Sequence, residues 1–153
     1  MIVHHTNAHL VCRIGSRVAA IPLALVSETM RPLPIEPLAE MPPFVLGVAI
    51  VRGAPVPVID TARLVGVTES NPTRFVTVKC DERTLALSVD AVLGVRAVGE
   101  QTLTALPNLL NEGNADVIAA IGAVDRALFL VLETTHLVPE ATWSAIADFG
   151  AQP

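Results

Sequence analysis

The chain has no tyrosine, one tryptophan and four phenylalanines, and its ten lysines and arginines face fifteen acids. A base-stacking platform needs aromatic faces together with positive charge, so the composition counts against nucleic acid as a partner. Long apolar runs are missing too. The longest, Phe44–Val51 and Val117–Val124, have eight residues each. A membrane helix needs roughly 20, so no direct membrane insertion is expected. Met1–Asn7 shows no basic region leading into an apolar core, so no secretory signal is predicted. Cysteine is scarce: Cys12 and Cys80 each lie in an apolar-alternating run. That pattern reads as two buried thiols rather than a disulfide framework, and it points to the cytoplasm.

What is present is aliphatic. Hydrophobic residues make up 52% of the 153 and charged residues only 16%, with a net charge of −5. Disordered segments are poor in hydrophobics, so disorder is excluded as the main state. The length suits one domain that buries about 70% of its unfolded surface without needing disulfides. Twelve prolines and nine glycines punctuate the chain.

Four segments share one local plan, which is strand, tight turn, strand, then a short helical or irregular piece. The first runs His9–Ile14, turns at Gly15-Ser16, and continues Arg17–Leu23 before Ala24–Met30. The second runs Val45–Val51, turns at Arg52-Gly53, and continues Ala54–Ile59 before Thr61–Val65. The third runs Arg74–Cys80, turns at Asp81-Glu82, and continues Thr84–Val89 before Asp90–Leu93. The fourth runs Val117–Ala123, turns at Val124–Arg126, and continues Ala127–Leu132 before Thr134–Val138. Gly, Asp or Ser in the turns is what tight hairpins require. In the third unit Leu85, Leu87 and Val89 point one way, and Ala86 and Ser88 the other.

Repeated short hairpins favour small β-barrels. A parallel βαβ sheet would need long amphipathic helices between strands, and none is available. Gly66–Pro72 is polar and is the expected crossing between the two halves. Thr61, and Glu133 or Thr134, are expected helix caps. A last helix is predicted over 141–150, with Trp143, Ile146 and Phe149 on one face.

Chemistry-bearing motifs are sparse. Gly94, Gly99, Gly113 and Gly122 do not assemble into a phosphate-cradling loop, and no HExxH, CxxC or calcium-loop spacing occurs. His4, His5 and His9 cluster near the N-terminus, where a solvated tail is the simpler reading. His136 follows Glu133 at surface-pair spacing, and Ser27 and Ser88 lack a base context. No cofactor, metal or catalytic residue is expected, and the chain is read as a non-enzyme. The suggestive polar residues are isolated charges among hydrophobics. Asp60 and Asp90 suit caps or turns. Glu28 and Arg52 suit an interaction surface, because exposed pairs add little stability and the planar guanidinium favours two-point recognition.

The run Phe44–Asp60, with Gly47, Val48, Val51, Arg52, Gly53, Pro57, Val58 and Asp60 at their spacing, resembles the CheW-like family of chemosensory coupling proteins. Ile21-Pro22 with Val26 and Glu28 is similar to the family's segment upstream. Leu85–Val92 and Leu128–Glu133 with Leu137 are similar to its later strands. The resemblance runs in order over about residues 9–138.

It implies an all-β fold of two intertwined, SH3-like, five-stranded barrels. A single domain would span 9–140, with one barrel at about 14–68, the other at about 73–138, and strands exchanged between them. A C-terminal helix or tail would follow at 141–153. It implies a cytoplasmic, non-enzymatic adaptor, recruited to receptor arrays, that joins a CheA-type histidine kinase regulatory domain to the tips of methyl-accepting chemoreceptors. Carried over by position, the partner-binding residues would be Leu25, Val26, Glu28, Gly47, Val48, Ile50, Arg52 and Gly53. Part of the aliphatic surplus, around Val26, Val48 and Ile50, would then be interface. Ile50 stands where the family has Asn, which implies an altered partner preference, and Ala86 replaces a frequent Gly. Two alternatives stay open. One is a divergent module of a non-flagellar pathway, and the other is a ligand-binding protein or enzyme using the cleft between barrels.

Overall fold

A computed structural model describes residues 8–80, 82–97, 118–124, 127–132 and 138–151. His4 and His5, expected in a solvated tail, and Glu133, Thr134 and His136, for which a cap or a surface pair is expected, lie outside the described residues. The fold is all-β with few helices. Strands β1 (Ala8–Ile14) and β2 (Arg17–Pro22) form the first hairpin, and β3 (Val26–Met30) follows after a single 3-10 turn. Strands β4 (Val45–Val51) and β5 (Ala54–Ile59) form the second hairpin, closed by α1 (Thr61–Leu64). Strands β6 (Arg74–Cys80), β7 (Arg83–Val89) and β8 (Ala91–Ala97) come next, then β9 (Ile118–Val124) and β10 (Ala127–Leu132). Helix α2 (Glu140–Ala151) is the last element.

The strands make two five-stranded sheets, ordered β8-β1-β2-β10-β9 and β3-β6-β7-β5-β4. Neighbours are antiparallel except for two parallel joins, β2 with β10 and β5 with β7. The chain leaves the first sheet at Leu23–Leu25 and returns to it at Asp90, so the first sheet is built from both ends of the sequence.

This corrects four local expectations. Gly66–Pro72 does not cross between sheets, since it links α1 to β6 within the second. Ala24–Met30 is mostly strand, because Val26–Met30 pairs along β6 even though a bulge at Ser27 interrupts its apolar alternation. Ala91–Leu93, right after Asp90, opens strand β8 rather than a helical piece. Thr61 is not the cap of α1 either. Asp60 fills that role, its Oδ1 accepting the Arg63 N–H at 3.1 Å, while the Thr61 side chain is buried.

The main core lies between the two sheets. It joins Cys12, Ile14 and Ile21 of the first to Val76, Val78, Leu85, Leu87 and Val89 of the second. Ala86, Phe75 and Val58 face the other way into a smaller cluster, so the second sheet is buried on both faces at its centre. The alternation along β7 is thus the one its sequence predicts. Each fully buried Leu or Val there contributes about 1.5–3 kcal/mol. Ala86 has no positive φ, so alanine carries no backbone strain in place of glycine. Cys12 and Cys80 are buried without a disulfide, and burial pushes the Cys12 thiol up to about 12.

Candidate functional site

Strand β3 carries a bulge. Val26 pairs with Val78 and Glu28 with Thr77, which leaves Ser27 as the extra residue. A bulge bends a strand and re-aims its side chains. Buried Thr77 repairs the interrupted ladder: its Oγ1 accepts the Glu28 N–H at 3.1 Å and donates to the Glu28 carbonyl at 3.3 Å. Glu28 is thereby held on an edge strand with its carboxylate directed outward.

Arg52 arrives from the β4–β5 hairpin. Its two-residue turn has φ of +52° at Arg52 and +84° at Gly53, the pair of left-handed conformations that match the strand twist. Gly53 adopts this freely. Arg52 adopts it under strain. The outcome is a two-point fork: Arg52 Nε donates to Glu28 Oε2 and Nη2 to Oε1, each at 2.8 Å. The Arg52 hydrogen bonds, and then its charge, outweigh partial desolvation and hold the Glu28 carboxyl below its ordinary range. The same fork raises the guanidinium. Arg52 stays 78% exposed and Glu28 30%, so the pair gives orientation rather than stability.

The other expected residues divide. Gly53 is exposed beside Arg52, and Ile50, two residues before it, is 54% exposed. Leu25 is half-buried, and Val26 packs against the main core. Val48 is only 1% exposed and Gly47 is buried. Of the aliphatic surplus expected at an interface, Val48 is therefore core and Ile50 is surface. Gly47 is needed for close approach. Glu36 bridges to Val48 through two backbone bonds, and a Cβ on Gly47 would sit 2.4 Å from the Glu36 carbonyl oxygen.

Sequence reasoning missed a second wall. A half-open groove of about 540 Å³ runs from Glu28 and Arg52 across Pro55 and Val56 to Trp143 and Ile146 of α2. Exposed Arg83 places the helix. It forks onto Glu140 at 2.5 and 2.9 Å, and its guanidinium lies 4.9 Å from the Trp143 ring centre. The helical spacing of Trp143 and Ile146 signalled an apolar face, but nothing in the sequence said where it docks. Among the described residues no cluster of three His, Cys, Asp or Glu could hold a metal ion. His9 is buried within β1, which corrects the expectation of a solvated tail at this position, and buried Ser88 donates to the Ile59 carbonyl at 2.7 Å.

Comparison with known proteins gives consistent results. Residues 8–142 match the CheW-like domain. A chemotaxis protein CheW of Rhizobium meliloti is 23% identical over 130 residues, covering 83% of this chain and 84% of its own. A probable chemotaxis protein CheW of Rhizobium etli is 25% identical over 131 residues, covering 84% of each. The crystal structure of the scaffolding protein TtCheW from Thermoanaerobacter tengcongensis superposes with a TM-score of 0.74 at 21% identity. It covers 86% of this chain and 92% of that one, so the two share a fold.

Proposed function

The chain belongs to the CheW-like domain family, a family of chemotaxis scaffolds, and from that membership we propose that it is a non-enzymatic coupling protein. In this reading it joins the regulatory domain of a CheA-type histidine kinase to the cytoplasmic tips of chemoreceptors. The observation that carries the reading is the family match across residues 8–142. The Glu28–Arg52 fork supports it by offering a fixed, exposed cation at the mouth of a largely apolar groove. A scaffold needs rigid faces more than chemistry, and signals pass through it as shifts of population at shared contacts. Recruitment to receptor arrays would follow from those contacts. Among the described residues no helix is long and apolar enough to cross a membrane.

The test is direct binding of the purified chain to a kinase regulatory domain and to a receptor-tip helical hairpin, together and separately. The reading expects both to bind, and Arg52→Glu to weaken at least one of them tenfold or more. A chain that binds neither, while folded, would overturn it.

A further inference from the structure

Strand β5 carries two prolines, Pro55 and Pro57, although it lies between β4 and β7 in its sheet. Proline cannot donate to a ladder, so its place in a sheet has to be explained. Val48 pairs with Pro57 but gives its N–H to Glu36 on the opposite side. That makes Val48–Pro57 a non-hydrogen-bonded pair, in which both backbone nitrogens point off the hairpin. Ile50–Pro55, two residues along, has the same geometry. Both prolines therefore stand where an N–H would have pointed toward β7. The β5–β7 pairing begins only at Val58, so the stretch 54–57 is a sheet edge with its donors removed.

Helix α2 lies on that edge. Gly150 comes so close to Pro55 that a Cβ would sit 2.7 Å from the proline Cγ. Few side chains make the attachment, and one of them, Trp143, packs against the main core. Thr142 and Ile146 are buried and Trp143 and Phe149 half-buried, while the rest of the described helix side chains are exposed. The N-terminal end is tied by Arg83, through an exposed fork to Glu140 and the stack on Trp143. A covered edge that is also blunted by proline can be bared without offering a template for strand addition.

We propose that α2 is a latched cover: it opens as a unit while both sheets stay folded, and Arg83 is the latch. Closed, the helix supplies Trp143 and Ile146 to the groove beside Arg52, so that groove has its second wall only in the closed state. The proposal goes beyond the scaffold reading and does not depend on it.

Amide hydrogen exchange on the full chain tests it, with Trp143, the sole tryptophan, as an optical reporter. The amides of 144–151 should exchange at least tenfold faster than those of β6 and β7, with little dependence on denaturant. Arg83→Ala and, separately, Glu140→Gln should speed the helix amides several-fold further and red-shift Trp143 emission, leaving β6 and β7 unchanged. Helix amides that open only together with β6 and β7 in the wild type would overturn the cover. Variants whose helix exchange matches the wild type would overturn Arg83 as its latch. If β6 and β7 also loosen in Arg83→Ala, Glu140→Gln decides, since its change lies outside the sheets.

Discussion

Thr77 stands in for the backbone at Glu28. Its hydroxyl lies 3.1 Å from the Glu28 nitrogen and 3.3 Å from the Glu28 carbonyl oxygen, and so closes the gap that the bulge at Ser27 opens. The same-shaped Thr77→Val removes both bonds and leaves two backbone groups without their side-chain partner. A cost of about 1–3 kcal/mol is expected in urea unfolding. Because Glu28 then loses its support, partner binding should weaken beyond what the stability loss explains at temperatures where the variant is folded.

Arg52→Glu places two carboxylates where the fork now sits. Both groups are on the surface, so the melting temperature should move by no more than ~2 °C. Binding to the kinase domain or the receptor tip should fall tenfold or more. The double variant Glu28→Arg with Arg52→Glu restores a pair with reversed polarity. Recovered binding would mean that the pair acts as a rigid unit, whereas continued loss would mean that the partner reads the arginine itself.

Ile50 is 54% exposed, and Ile50→Asn should therefore leave stability within about 0.5 kcal/mol. The CheW-like resemblance puts an Asn at this position, so the substitution should change which of the two partners binds more tightly. Titration of both partners against both chains reads this. A large stability loss with unchanged preference would make Ile50 a packing residue only.

The hairpins were legible because their signals are local. Gly15 and Arg52-Gly53 mark turns, and the alternation of Leu85, Leu87 and Val89 fixes which face of β7 meets the main core. Sheet membership was not legible. The joins of β2 to β10 and β5 to β7 are parallel and distant in sequence, and no hairpin pattern announces them. Strand β3 was obscured because its bulge breaks the alternation on which such readings rest. At the site, Glu28 and Arg52 stood out as charges among hydrophobics. Arg83 carried no such mark, since its meaning depends on where α2 comes to rest.

Asp90 sits where the chain passes from the second sheet back to the first, and it gathers two other segments onto its carboxylate. It accepts from the Gly15 N–H at 3.1 Å, the Asn71 N–H at 3.0 Å and the Ser70 hydroxyl at 2.6 Å, with Arg13 Nη1 at 3.7 Å. Burial alone would raise its pKa. The bonds from Ser70, Asn71 and Gly15, and then the Arg13 charge, outweigh burial and hold the carboxyl below its ordinary value. A depressed folded value means that the unfolded chain takes up the proton first as pH falls. The stability Asp90 contributes is therefore fully present above the unfolded value of roughly 4 and is lost as pH drops through the folded one. Asp90→Asn turns an amide NH₂ toward donors and should cost about 2–3 kcal/mol at pH 7. Urea unfolding of both chains at pH 7, 4 and 3 should show that difference shrinking below pH 4. A difference that stays constant across the series would mean that the Asp90 charge does not join the turn to the sheets.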